Sequence, residues 1–168
     1  YGARRIVEIL QELKVTNRLM KQSEITVECN PDSVRRKELR MLRKEGVNRL
    51  SIGAQSANDD ILRLIGRRHN WRQVEMAVKR ARKAGFRNVS LDLIYGLPSQ
   101  TREDWADTLT KALALKPAHI SCYGLRLEEG TPMYDEYEGT DILPSDDDQA
   151  DMYLYAVDFL SRHGFRQY

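Results

Sequence analysis

The stretch NVSLDLIYGLPSQTREDWADTLTKALAL, residues 88–115, decides the fold. It opens as a strand over 88–95, NVSLDLIY, with the carboxylate of Asp92 set between Leu91 and Leu93. Gly96, Leu97 and Pro98 then read as a loop. Thr101 and Asp104 have the spacing of a reciprocal helix cap. Trp105, Leu109, Ala112 and Leu113 fall on one helical face, and the helix runs to about Leu115. His119–Leu125 is the next strand. Strand, helix and strand in this order form a βαβ unit, which demands parallel strands.

The same alternation extends in both directions. Residues 3–14 carry Ile6, Ile9, Leu10 and Leu13 at helical spacing, and 24–29 alternate as a strand. Asn30, Pro31, Asp32 and Ser33 turn the chain, and Asp32 or Ser33 is expected to cap a helix that reaches about Lys44 and stops at Gly46. A strand over 48–53 and a short helix over 59–64 follow. A longer helix opens at Asn70, paired with Gln73 in a capping box. Its stripe is Trp71, Val74, Ala77, Val78 and Ala81, and Gly85 ends it. Residues 128–145 are acidic and punctuated by Gly and Pro, so they read as loop, and a last helix spans 146–163. The expectation is one α/β domain over 1–168 with a parallel sheet.

Composition narrows the function classes. Apolar residues make up 41% and charged residues 31% of the 168, which suits a globular domain. No apolar run approaches the length of a membrane span. The net charge of +2 gives no overall reason to expect nucleic acid. Nine Lys and Arg against one acid, Glu75, fill 63–87, while 127–161 is acidic with no Lys or Arg; both read as solvated faces. Cys29 and Cys122 form no metal-ligand pattern, and the natural reading is a reduced, cytoplasmic protein in which each is a small buried apolar group.

Polar residues recur at strand ends. Glu28, Gln55, Asp92 and Tyr123 are separated by 27, 37 and 31 residues, each gap about one βαβ repeat. In parallel α/β folds the carboxyl ends of the strands converge on one face, where ligands bind. A carboxylate between two leucines needs a cationic or hydroxyl partner, and Arg67 or Arg68 is a candidate cation. Gly53 lets the backbone pass close to a ligand. His69, beside a helix start, reads as a structural hydrogen-bonder rather than a base. No Ser-His-Asp, HExxH, P-loop or GxGxxG pattern is present.

Five segments carry a resemblance: ITVECNPDS (25–33), GVNRLSIGAQS (46–56), LIGRRH (64–69), GFRNVSLDLIYGLPSQT (85–101) and HISCYGLRLEEGTPMY (119–134). Together they resemble the radical S-adenosylmethionine (radical SAM) proteins of the oxygen-independent coproporphyrinogen III oxidase family. The last segment looks more like that family's heme chaperone branch. The resemblance implies a partial (βα)6 TIM-like barrel with its first strands missing. It implies S-adenosylmethionine, a [4Fe-4S] cluster held by a C-x3-C-x2-C loop, and heme or a porphyrinogen as the molecule handled. It also implies a heme-acceptor protein as partner, and no nucleic acid. Carried over by position, Glu28, Gln55, Arg67 and Asp92 match residues that contact S-adenosylmethionine, and Leu125 and Arg126 match a segment passing the adenine.

The C-x3-C-x2-C motif is absent from this sequence, and Cys29 and Cys122 do not have its spacing. The expectation is therefore a fragment whose cluster ligands and C-terminal domain lie elsewhere, with no catalytic residue and no metal ligand of its own. Two functions follow from the resemblance: heme delivery by a chaperone, or oxidative decarboxylation of coproporphyrinogen propionates to vinyl groups. An α/β domain for another small polar ligand is the third. His69, His119 and His163 are heme-ligand candidates by residue type only, and core or surface roles suit all three.

Overall fold

The computed structural model describes residues 2–16, 19–20 and 22–168. Its elements in chain order are α1 (Ala3–Val15), β1 (Thr26–Cys29), α2 (Arg36–Lys44), β2 (Arg49–Gln55), α3 (Asp59–Leu64), α4 (Trp71–Lys83), β3 (Asn88–Tyr95), α5 (Arg102–Ala114), β4 (His119–Gly124), α6 (Pro132–Tyr137) and α7 (Asp146–Arg162). The four strands are parallel and lie in the order β1-β2-β3-β4. Each successive strand is added on the same side of the last. With right-handed crossovers, that order puts every connecting helix on one face of the sheet. A sheet wound in one direction only is an arc of a (βα) barrel, whereas a doubly wound sheet reverses its order.

The register explains which face the helices take. Val27 pairs with Leu50, and Leu50 with Val89; Cys29 pairs with Ile52, Ile52 with Leu91, and Leu91 with Ile120. These rows point to the helices and merge with Leu39 and Leu42 of α2, Val74, Ala77 and Val78 of α4, Trp105, Leu109 and Ala112 of α5, and Met152 and Ala156 of α7 in one core. The rows between them are polar. Glu28 pairs with Ser51, Ser51 with Ser90, and Ser90 with His119; Gly53 pairs with Asp92, and Asp92 with Ser121. Because side chains alternate along a strand, these rows occupy the opposite face, the one that carries no crossover helix.

Local chemistry sets the helix starts. The capping boxes Asn70–Gln73 and Thr101–Asp104 are both formed in full. Asn58 caps α3 with its side-chain oxygen, accepting from the Asp60 N–H at 2.9 Å, and Ser145 caps α7. Gly46 and Gly85 take the left-handed conformation that ends α2 and α4.

Three local readings of the sequence are corrected. Neither Asp32 nor Ser33 caps α2: its N-cap is Arg35 without a side-chain bond, and the Ser33 hydroxyl instead closes the turn by donating to the Asn30 carbonyl at 2.8 Å. Residues 128–145 are not all loop. Thr131 caps α6, Pro132 occupies its first turn, and Tyr137 is buried with its hydroxyl 3.4 Å from the Leu64 carbonyl. The basic run is not only a solvated face either. Arg80 donates to the Val34 carbonyl at 2.9 Å, and Arg82 donates to the carbonyls of Leu115 and Lys116, so both brace loops. The acidic run does lie at the surface in part, with Asp148 and Asp151 paired to Arg102. Among the described residues no helix is long and apolar enough to cross a membrane.

Candidate functional site

The site is the polar face of the sheet toward the carboxyl ends of its strands. Its central carboxylate is Asp92, half-buried in β3. Ser51, one strand away, donates its hydroxyl to Asp92, with the two carboxylate oxygens at 2.9 and 2.8 Å. That hydroxyl is the partner which burial between two leucines requires. Among the described residues no ion pair joins Asp92 or Glu28 to Arg67 or Arg68, so the expected cationic partner is not used. Glu28 is exposed on β1, in register with Ser51. Asp92 and Glu28 therefore keep lone pairs turned toward open space on one face.

Gln55 closes β2 in an unusual way. Its φ is +65°, and the Ser56 N–H donates to the Ala54 carbonyl at 2.9 Å across it. A three-residue bond about a positive φ is the rarer and strained hand of the γ-turn. For a residue with a side chain, such a conformation costs about 1–3 kcal/mol and persists only when the surroundings impose it. The strand pairing slips at the same place: Gly53 pairs with Asp92 and Gln55 with Leu93, leaving Ala54 as the extra residue of a bulge. The turn folds the Gln55 side chain back over Gly53, its Nε2 lying 2.8 Å from where a Cβ on Gly53 would be, with the Asn30 Oδ1 3.8 Å from the same point. The space that Gly53 leaves open is thus taken by the carboxamide of Gln55, a correction to the expectation that it admits a ligand directly. Gln55 is only 8% exposed, and what little of it is exposed is its polar end: its carboxamide makes no side-chain hydrogen bond among the described residues, yet no buried side-chain polar atom there lacks a partner, so the carboxamide reaches the surface of this face.

The turn is clamped on both sides. Downstream, the Ala57 N–H donates to Thr108 Oγ1 of α5 at 3.0 Å, and Asn58 Nδ2 donates to Asp104 at 2.8 Å. His69 is buried, and its Nε2 lies 3.2 Å from the Ala54 carbonyl. A carbonyl only accepts, so that nitrogen carries the proton. Burial first, with the charge of Arg67, pushes the His69 imidazolium below its usual range, so the ring is neutral near pH 7. His69 is the structural hydrogen-bonder the sequence suggested. Arg67, two residues earlier and half-buried, donates its backbone N–H to the Leu62 carbonyl at 2.8 Å, which ties this loop to the end of α3.

On the far side of Asp92, the Leu125 N–H donates to the Tyr95 carbonyl at 2.9 Å, continuing the β3 edge past the end of β4. Leu125 is half-buried, while Arg126 and Tyr123 are exposed. Glu28, Gln55 and Asp92 are thus brought onto one face. Arg67 is tethered beside the end of β2 and Leu125 beside the end of β3, whereas the exposed Arg126 has no side-chain partner among the described residues.

The two cysteines belong to the opposite face. Burial raises each thiol to about 12, with the charge of Asp92 adding to the effect at Cys29, so both are protonated and inert. His119 bonds Ser90 and Tyr168, its Nδ1 and Nε2 at 2.8 and 2.7 Å from the two hydroxyls, at the amino end of β4. The sequence reading missed Ser51 and Asn30. The period-two echo of Ser51-x-Gly53 with Ser90-x-Asp92 is the signal that points to Ser51.

Comparison with known proteins agrees with this geometry. Residues 2–112 match the radical SAM superfamily. The heme chaperone HemW of Lactococcus lactis is 42% identical over 86% of the chain and 38% of its own length. The protein of that name from Bacillus subtilis is 39% identical over 93% of the chain and 42% of its length. The coproporphyrinogen III oxidase HemN of Escherichia coli, a radical SAM enzyme, superimposes with a TM-score of 0.88 at 29% identity, covering 99% of this chain and 38% of that one. The chain therefore spans about two fifths of the length of the relatives it matches.

Proposed function

Since this chain belongs to the radical SAM superfamily, we propose that the polar face of its sheet forms part of an S-adenosylmethionine site. The single observation that carries the proposal is Gln55: a residue held in a strained turn, with its carboxamide folded over Gly53 on the face of Asp92, without a side-chain partner among the described residues and open to the surface there. The donor set fits the cofactor. Carboxylates accept from ribose hydroxyls and an ammonium group and tolerate a sulfonium; the Gln55 carboxamide both donates and accepts. In this reading Arg67 is the cation for the methionyl carboxylate or a ribose oxygen, and the main chain near Leu125 and Arg126 runs past the adenine. S-adenosylmethionine bound to a reduced [4Fe-4S] cluster supplies radical chemistry in this superfamily. The cysteines here do not fit such a cluster, being half-buried, protonated and on the helix side of the sheet. The proposal draws the cluster ligands from outside these residues, and the role of this chain is to bind and orient the nucleoside.

For the whole protein we favour a heme chaperone, working in the cytoplasm and passing heme to an acceptor protein, over an oxidase of coproporphyrinogen III. The identity of 42% to a named heme chaperone, against 29% to the named oxidase, supports that order. The test uses the full-length protein with its cluster reconstituted. Stable heme binding, seen as a Soret band, without conversion of coproporphyrinogen III is the expected result; turnover to the vinyl product overturns it. In the same preparation, Asp92→Ala and Gln55→Ala are each expected to weaken S-adenosylmethionine binding about tenfold, as for loss of a hydrogen bond to a charged or buried group. Unchanged affinity in both removes the site assignment.

A further inference from the structure

We propose that His69 is a positioning residue that holds Gln55 in its ligand-facing turn through the carbonyl of Ala54. The inference rests on the S-adenosylmethionine reading of the same site. The Ala54 carbonyl accepts two bonds: the Ser56 N–H at 2.9 Å, which closes the γ-turn, and the His69 Nε2–H at 3.2 Å. An unconstrained chain makes this three-residue bond mainly in the inverse hand, with negative φ, so the strained hand seen at Gln55 is one the backbone leaves readily. A second donor fixed from another segment removes that freedom. His69 suits the task because it is buried and neutral, with one ring nitrogen obliged to donate.

The consequence reaches the proposed contact of Gln55. Freed from the left-handed conformation, Gln55 no longer lies over Gly53, and its carboxamide leaves the face that Asp92 and Glu28 share. The loop carrying Arg67 has its own tether, the Arg67 N–H donating to the Leu62 carbonyl at 2.8 Å, so the clasp acts on binding through Gln55.

The experiment uses the full-length protein. Without any ligand, hydrogen–deuterium exchange at the Ser56 amide is measured in the wild type, His69→Leu, His69→Gln and His69→Asn. A Gln amide reaches as far as the imidazole Nε2, whereas an Asn amide reaches only as far as Nδ1. Faster exchange at Ser56 in the Leu and Asn variants, with near wild-type protection in the Gln variant, is expected. The second readout is S-adenosylmethionine affinity of the cluster-reconstituted protein by equilibrium dialysis. His69→Leu should weaken binding about tenfold, His69→Gln about threefold or less, and His69→Leu in a Gln55→Ala background should add nothing. If His69→Leu does not fold, the Gln and Asn pair decides, and equal exchange and equal affinity in those two overturn the clasp. Additive effects of His69→Leu and Gln55→Ala also overturn it. If Gln55→Ala alone leaves affinity unchanged, the binding reading fails, while the exchange at Ser56 still judges the clasp itself.

Discussion

At the scale of single residues, Gly53 and Gln55 act as one unit. Any side chain at Gly53 would place its Cβ 2.8 Å from the Gln55 Nε2, closer than real Cβ atoms come to a neighbour, and that amide is the far end of a side chain that can yield by moving. Gly53→Ala is therefore expected to keep the fold, since the obstruction is a side chain and not backbone, while displacing the carboxamide. The measurable outcome is a fall in S-adenosylmethionine affinity comparable to that of Gln55→Ala, with a melting temperature within a few degrees of wild type. The carboxylate of Asp92 behaves differently. It is fixed by the Ser51 hydroxyl, a neutral partner that leaves its negative charge available, where an arginine would have neutralised it. The choice of serine over a cation is the chemistry expected of a group meant to meet a positively charged ligand.

At the scale of elements, sequence signals were strongest where the physics is local. The capping boxes at Asn70 and Thr101 are read from residues three apart, and both are formed. The α6 helix was missed because its stabilisation is not local: Pro and Gly punctuate the segment, and the burial of Tyr137 near Leu64 is a contact across 73 residues. The expected cap for α2 failed for the opposite reason, since the Ser33 hydroxyl had a nearer use in the preceding turn. The pairing of α5 with α7 is carried by Trp105, which is fully buried and donates its indole N–H to the Met152 carbonyl at 2.8 Å. Trp105→Ala should cost about 3–5 kcal/mol of unfolding free energy in chemical denaturation, whereas Trp105→Phe should cost less because it leaves a smaller void.

At the scale of the whole molecule, acid should loosen the fold through its histidines. His69 and His119 both have pKa values depressed below the ordinary 6.5, chiefly by burial. Below pH 6.5 the unfolded chain takes up protons that the folded chain refuses, so stability falls as pH drops from 6.5 toward the folded values. Melting temperature is expected to decline over that interval, and His69→Gln should flatten its share of the decline. The sequence by itself determined the order of helices and strands, the parallel sheet, and the set of polar residues that interrupt its strands, because the repeats of 2.0 and 3.6 residues and the caps are properties of short windows. Only the tertiary structure decided that all crossovers cover one face, so that Glu28, Ser51, Asp92 and Gln55 share the other. Only it decided, too, that Gly53 makes room for Gln55 and that His69 holds the turn between them. Register and the meeting of segments 15 and 41 residues apart, as in His69 with Ala54 and Asp92 with Ser51, are settled by packing the apolar rows against the helices, and no window of sequence contains that packing.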